Sequence, residues 1–354
     1  MIKSPYSLNE LDQLAKLFYK DINHELRLKS ALRDWLNAPP ANTALLQPVV
    51  LHLYTNIEEI IIDQPASLEL KIQRIEDLIA IACAQKRAVS PPPLNRNGAH
   101  LVGIAVDKYF DKWARNEIKR LFDYEYSSNS FIQKNEGSVA YRHAKRMKMS
   151  SCPYCNSNFT FTIKTKRGKS RPQFDHFLKK GRYPYFGLSF FNLIPACSIC
   201  NSAGIKGQKL FSCSTHLHPF IDDMEGSFYF RTKVKAVDFL VNSEDFNLLL
   251  RPCKGTTEQG RKKAAASIID FALNDRYKFH KEYAGEVIQK AVVYNDLALG
   301  NLFRTFKKDG HSIFNSESEI KELVMGNYMH PDRFHKRILS KLTTDIAEEF
   351  GLTL

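Results

Sequence analysis

Four cysteines stand in two CxxC pairs, Cys152-Pro-Tyr-Cys155 and Cys197-Ser-Ile-Cys200, and between them lies the dipeptide Asp175-His176. Thiolates from two such pairs enclose a tetrahedral zinc ion, a closed and therefore structural arrangement. The gap from Cys155 to Cys197 is long for a simple zinc ribbon, and it makes sense if the intervening loop is itself a functional unit clamped at its base. A site of this kind contributes on the order of 10–16 kcal/mol of apparent binding free energy, enough to hold a weakly cored module together. Asp175-His176 suits a division of labour: the carboxylate holds a hard cation while the neutral imidazole takes a proton from water. Mg²⁺ needs only one or two protein oxygens, so Asp175 with the amide oxygen of Asn201 would be enough. The other three cysteines, Cys83, Cys213 and Cys253, read as buried thiols. An odd total of seven, behind a start that lacks the apolar core of a signal peptide, argues against a disulfide framework.

Charge marks the same stretch. The chain has 51 Lys and Arg against 38 Asp and Glu. Fourteen of the basic residues and one acid, Asp175, fall between residues 141 and 210, leaving thirty-seven of each sign elsewhere. The whole surplus therefore sits on the residues that carry the motifs, which favours a polyanionic partner over an ordinary solvated face. Arg171, Lys179 and Lys180 are candidate phosphate contacts. Arg182 and Tyr183 could touch a backbone or stack on a base, or belong to a plain surface loop. Lys206 reads as a phosphate contact or as solvated surface. His216 and His218, in His-Leu-His-Pro-Phe, read as a turn ending the module, with completion of the metal site by His218 as the sharper alternative. No run of about 18 apolar residues is present, so no membrane span and a cytoplasmic location are expected.

The elements that must position these residues follow from periodicity. Ser7-Leu-Asn-Glu10 has the capping-box form, with apolar residues at helical spacing behind it. Further helices are expected over Glu25–Leu36, Ala44–Ile62, Ser67–Gln85, Leu101–Tyr124 and Arg142–Lys148. His24 and His52 read as structural. Ser90-Pro-Pro-Pro-Leu-Asn-Arg-Asn-Gly98 cannot continue a helix and reads as a stiff boundary. Phe159–Ile163 and Pro172–Phe177 read as strands flanking the turn Lys166-Arg-Gly-Lys, and Cys197–Ile205 as a short helix or knuckle. Beyond them come a strand at Phe228–Val234 and helices over Thr257–Leu273, Asp275–Phe306, Glu317–Met325 and Pro331–Phe350. The expected domains are a helical region 1–90, a linker and connecting helix 91–140, a zinc-bound core 141–225 and a mainly helical region 226–354.

Two CxxC pairs, Asp175-His176, Asn192 sixteen residues later and Asn201 nine further on resemble the HNH family, the ββα-metal nucleases, over Cys152–Lys206. The resemblance implies an α+β protein with a ββα-metal core. It implies Asp175 and Asn201 as ligands of a catalytic Mg²⁺ or Mn²⁺, and His176 as the base that activates water. Asn192 would orient the loop carrying His176, and Cys152, Cys155, Cys197 and Cys200 would hold a structural Zn²⁺. The third letter of the motif, often histidine, is here Asn201. The segment Asn327-Tyr-Met-His-Pro through Asp345-Ile is similar to the C-terminal region of HNH proteins encoded beside AAA- or ABC-type ATPases in anti-phage systems of the Septu kind, which implies an ATPase partner. Metal-dependent hydrolysis of phosphodiesters, most readily in DNA, is the expected function. The rivals are an HNH nuclease that cuts RNA such as tRNA, a non-catalytic zinc protein that binds nucleic acid, and a scaffold subunit.

Overall fold

The computed structural model describes residues 1–222, 225–253, 255–308 and 311–353. The chain begins with helices. The capping box is formed: the Glu10 amide donates to Ser7 Oγ while the Ser7 amide donates to the Glu10 carboxylate at 2.8 Å, starting α1 (Leu8–Asp21). α2 (Leu28–Asn37) follows a single π turn. The apolar stretch expected as one helix is split into α3 (Gln47–Thr55), with Pro48 in its first turn, and α4 (Ile57–Ile62). Proline cannot sit further inside a helix without losing a hydrogen bond, and here it falls where that bond is not needed. α5 (Pro65–Val89) runs to the proline-rich boundary, and α6 (Ile104–Leu121) packs back along it. α7 (Lys134–Met147) delivers the chain to Cys152 after a left-handed turn at Asn135, Glu136 and Gly137.

Among the described residues, four antiparallel strand pairs complete the α+β architecture. β1 (Ile163–Lys164) and β2 (Lys169–Ser170) form a small hairpin. β3 (Gln173–His176) pairs with β4 (Leu193–Ala196), Asp175 opposite Ile194 and His176 opposite Leu193. β5 (Phe228–Val234) pairs with β6 (Phe246–Pro252). Then come α8 (Glu258–Asp270), α9 (Leu273–Tyr277), α10 (Lys281–Val293), α11 (Asp296–Thr305), the short pair β7 (Lys307–Lys308) and β8 (His311–Ser312), α12 (Glu317–Met325) and α13 (Ser340–Glu349).

Other stretches match their expected form only in part. Phe159–Ile163 is paired only at its ends, by the Ser151–Phe159 bridge and the β1–β2 hairpin, because it lies at the surface beside no longer strand. Cys197–Ile205, expected as a short helix or knuckle, forms turns, so of the two the knuckle is observed and the regular helix of a ββα core is not. Asp275–Phe306 breaks into separate helices, and Pro331–Phe350 begins with a 3-10 helix before α13.

A hydrophobic core draws on the N-terminal helices, the motif region and the C-terminal helices, and leaves out the β1–β2 and β7–β8 hairpins. Phe18 of α1 meets Phe131 and Phe190 edge-on at 5.9 Å, and Trp35 of α2 donates to Glu117 of α6 at 3.0 Å. Among the described residues no helix is long and apolar enough to cross a membrane.

Candidate metal and nucleic-acid site

The two CxxC knuckles close on one another. All four ligand sulfurs lie within 4.8 Å of one another and all four cysteines are buried, so the cluster could hold a metal such as zinc. Backbone amides of Ser157, Cys197 and Cys200 each donate to a cysteine sulfur at 3.4 Å, which favours the thiolate form. Arg276, arriving on α9, donates from Nη1 to Cys200 Sγ at 3.0 Å and from Nη2 to Asn158 Oδ1 at 2.9 Å. Although burial opposes its charge, the neighbouring cysteines hold its pKa above the ordinary value. A guanidinium there offsets part of the negative charge that four thiolates keep even around a divalent ion. Nothing near the motif in sequence announces Arg276.

The knuckle is tied to the C-terminal segment. Asn156 takes a left-handed backbone (φ 52°) between the two loops. Its Nδ2 donates to Ser151 Oγ, Phe334 O and Arg337 O, and its Oδ1 accepts from the Lys341 amide at 3.1 Å. Cys83, Cys213 and Cys253 are half-buried rather than fully interior.

Asp175 and His176 are neighbours on β3, so the pleat sends their side chains to opposite faces. On one face, Asp175 is 4 % exposed and its carboxylate is fully engaged. Tyr154, inside the first CxxC loop, donates its hydroxyl to Oδ2 at 2.7 Å, and Lys206 Nζ reaches both oxygens at 2.7 and 2.8 Å. The same ammonium donates to the carbonyls of His176 and Phe177 and lies 4.7 Å from the centre of the Phe211 ring. Gln173, two residues earlier and hence on the same face, accepts from Asn201 Nδ2 at 2.9 Å, leaving the Asn201 oxygen as its acceptor. Tyr154 and Gln173 were legible only in hindsight, the one as a variable CxxC position, the other through the period of two.

On the other face, His176 is half-buried, edge-on to Tyr124 at 4.6 Å. Its Nε2 lies 3.0 Å from Gly187 O. A carbonyl only accepts, so Nε2 carries the proton and Nδ1 is the basic lone pair. Burial, and then the Lys180 charge, push the ring down to about 3 despite the favourable Gly187 carbonyl, so it is neutral at pH 7. Asn192 is buried and holds the loop after His176: Oδ1 accepts from the Leu178 amide at 2.6 Å, and Nδ2 donates to Leu178 O and Phe186 O.

Asp175, His176 and Asn201 open onto one cleft of ≈ 660 Å³. Its walls carry Lys119, Arg171, Lys179, Lys180, Lys206 and Lys209 against the acids Glu125 and Asp175. Lys179 donates to Gln208 O, and Lys180 pairs with Glu125 while lying 4.4 Å from the Tyr124 ring centre.

No family model, no curated protein and no solved structure matches this chain. The chemistry of the cleft is therefore that of its own side chains.

Several candidate residues lie elsewhere or are otherwise engaged. Arg182 is outside the cleft, held by Glu76 at 2.9 Å beside the buried Arg115. Lys206 borders the cleft but is 4 % exposed, its charge committed to Asp175 rather than to solvent or a phosphate. His216 stacks on Phe211 at 3.6 Å and reaches Asp270 at 2.9 Å. His218 is buried, bonded to Phe191 O at 2.9 Å and accepting from the Phe220 amide. Neither histidine lines the cleft, and both are spent on closing the turn that ends the motif region.

Proposed function

We propose that this chain is a metal-dependent endonuclease of the HNH type that hydrolyses phosphodiester bonds, most readily in DNA. The observation that carries the reading is the state of His176: a neutral imidazole with Nε2 fixed on Gly187 O and a free basic Nδ1, beside Asp175 and Asn201 in a lysine-lined cleft. That protonation state and tautomer let the ring accept a proton from water, although burial holds its basicity below what a base working near pH 7 needs. Burial is the main cause of the low basicity and the Lys180 charge the second, so entry of a phosphate would relieve the second only.

The oxygens around Lys206 Nζ bear on the cation. A buried carboxylate and two backbone carbonyls converge on an ammonium, and such a set of hard oxygens suits Mg²⁺ or Mn²⁺ equally well. Asp175, with the oxygen of Asn201, would hold that ion, which would supply charge stabilisation to the phosphoryl centre and leaving oxygen. In this arrangement Lys206 holds the place of that charge and must give it up. The four cysteines would carry structural zinc, with Tyr154 passing the rigidity of the first knuckle to Asp175.

Asn201→Ala is expected to lose cleavage of plasmid DNA by at least a hundredfold while keeping zinc and the melting transition; Asp175→Ala is expected to lose cleavage as fully and keep zinc, but to melt lower because it strands the buried Lys206 ammonium. Retained cleavage in either would remove that residue from the metal site. A second reading, a non-catalytic nucleic-acid-binding protein, is favoured by one observation: both Asp175 oxygens are already satisfied by Lys206 and Tyr154. Action beside an ATPase in anti-phage defence rests on the resemblance of the C-terminal segment alone. Much of that segment is spent internally, as Asn327 donates to Thr343 and Ile338 O and Arg337 O accepts from Asn156.

A further inference from the structure

The cleft accounts for only part of the basic surplus. A second part stands on the surface arm formed by residues 159–171, where the aromatic strand and the basic turn meet. Phe159, Phe161 and Ile163 are each about half exposed, at 49, 48 and 49 %. The two phenylalanine rings stack on one another, 4.5 Å between centres and 20° from parallel, and leave an outer ring face to solvent. An apolar pair displayed this openly is costly unless something covers it. The charges beside it say what does. Lys164, Lys166, Arg167 and Lys169 follow within eight residues of Phe161. Lys169 pairs with Glu136, but among the described residues no carboxylate lies within ion-pair distance of Lys164, Lys166 or Arg167.

The arm is also continuous with the cleft. Lys164 Nζ sits 5.5 Å from the centre of the Tyr141 ring, and the Arg171 guanidinium sits 5.8 Å from the same centre. Arg171 in turn lines the cleft. One basic path therefore leads from the exposed rings, over Tyr141, to Asp175 and His176. The turn that carries it is rigid, because Thr165 Oγ1 accepts from the Gly168 amide at 3.0 Å and the Thr165 amide donates to Gly168 O at 2.9 Å.

We propose that the Phe159–Phe161 pair and the basic turn behind it are a docking platform for single-stranded DNA, stacking unpaired bases and feeding the strand along Lys164 and Arg171 into the cleft. Bases offer a π face irrespective of sequence, and their phosphates answer Lys164, Lys166 and Arg167. A duplex, its bases already stacked on each other, meets only the charges. As a route to a cutting site the platform rests on the nuclease reading; as a binding surface it does not.

The test is fluorescence anisotropy with the full chain carrying His176→Ala, using a labelled 20-nucleotide single strand and the matched duplex. F159A/F161A is expected to weaken the single strand roughly tenfold or more, the size that removing stacking rings carries, and the duplex less than twofold. F159Y/F161Y keeps the rings and is expected to bind like the parent, which also shows that the arm tolerates substitution. F159L/F161L keeps the apolar area without the rings and is expected to behave like the alanine pair. Unchanged single-strand binding in the alanine pair, an equal loss on both substrates, or full binding by the leucine pair would overturn the platform; the last would point to a protein partner. Cleavage is scored separately with wild-type His176. Ring-dependent binding without cleavage sinks the nuclease and keeps the platform, whereas cleavage with ring-independent binding does the reverse.

Discussion

Asp175 and Lys206 form a pair whose burial sets its energetics. Both are 4 % exposed, and taking two charges out of water is repaid only by close geometry and further hydrogen bonds, which Tyr154 and the carbonyls of His176 and Phe177 provide. Removing one partner leaves the other charge stranded. Lys206→Ala is therefore expected to destabilise the protein by about 3–5 kcal/mol in metal-free buffer. Millimolar Mg²⁺ or Mn²⁺ is expected to raise the melting temperature of the variant more than that of wild type, since the ion then answers the orphaned carboxylate. Equal shifts in the two proteins would show that Asp175 does not take a cation in place of the lysine. Sequence alone exposed the types in this pair but not the bond between them. The residues are thirty-one positions apart and joined only through the turns after the second CxxC pair, where a lysine is as readily solvated as buried.

At the scale of elements, the knuckles, β3 and α7 carry most of the site. Cys152 and Cys155 hold Tyr154 between them, so loss of the metal at the knuckle loosens a donor to Asp175 as well as the clamp itself. Cys152→Ser is expected to lower bound zinc below one equivalent and to lower the melting temperature by well over 10 °C. Stoichiometric zinc in that variant would contradict the four-cysteine site. α7 contributes His143, buried among Phe18, Phe174 and Phe190 with ring centres 4.6 to 5.2 Å away. Burial pushes it down to about 3, and the same cause acts on His218. A histidine with a lowered folded pKa is neutral in the fold and takes up a proton more readily when unfolded. Its stabilisation is thus complete above about pH 6.5 and falls away as pH drops towards 3. Each such ring contributes a slope on the order of 1 kcal/mol per pH unit in that window. His143→Gln is expected to flatten the decline of the melting temperature between pH 6.5 and 4, and an unchanged slope would remove His143 from the acid response. The capping box of α1, the strand at 228–234 and the strand ending at Asp-His were legible in residue patterns, but β4, to which that last strand pairs, was not. The breaks in 275–306 and the unpaired middle of 159–163 were not, because they depend on neighbours distant in sequence.

Taken as a whole molecule, the chain folds its N-terminal helices, motif region and C-terminal helices around one interior, so the candidate site is supported from three sides. α5 supplies Glu76, which binds Arg115 at 2.6 Å and accepts from the Tyr185 hydroxyl at 2.8 Å, steadying the loop that presents Gly187 to His176. α9 supplies Arg276 to the cysteines, and α13 with the segment before it holds Asn156. None of these supports was legible in the sequence, where Glu76 and Arg276 are single charged residues in helices and Asn156 is held by a hydroxyl and a backbone amide of a distant segment. The concentration of basic charge around Asp175 was legible, and it became a cleft and an arm only once the fold brought Lys119, from α6, and Lys209 beside Arg171 and Lys180.

The most direct measurement is cleavage of supercoiled plasmid with Mg²⁺ or Mn²⁺ by the wild-type chain and by His176→Ala, with zinc content matched between the two. A neutral imidazole with a free Nδ1 as the base predicts nicked or linear product from wild type and at least a hundredfold less from the variant. Equal product from both, or none from wild type with either metal, would contradict it.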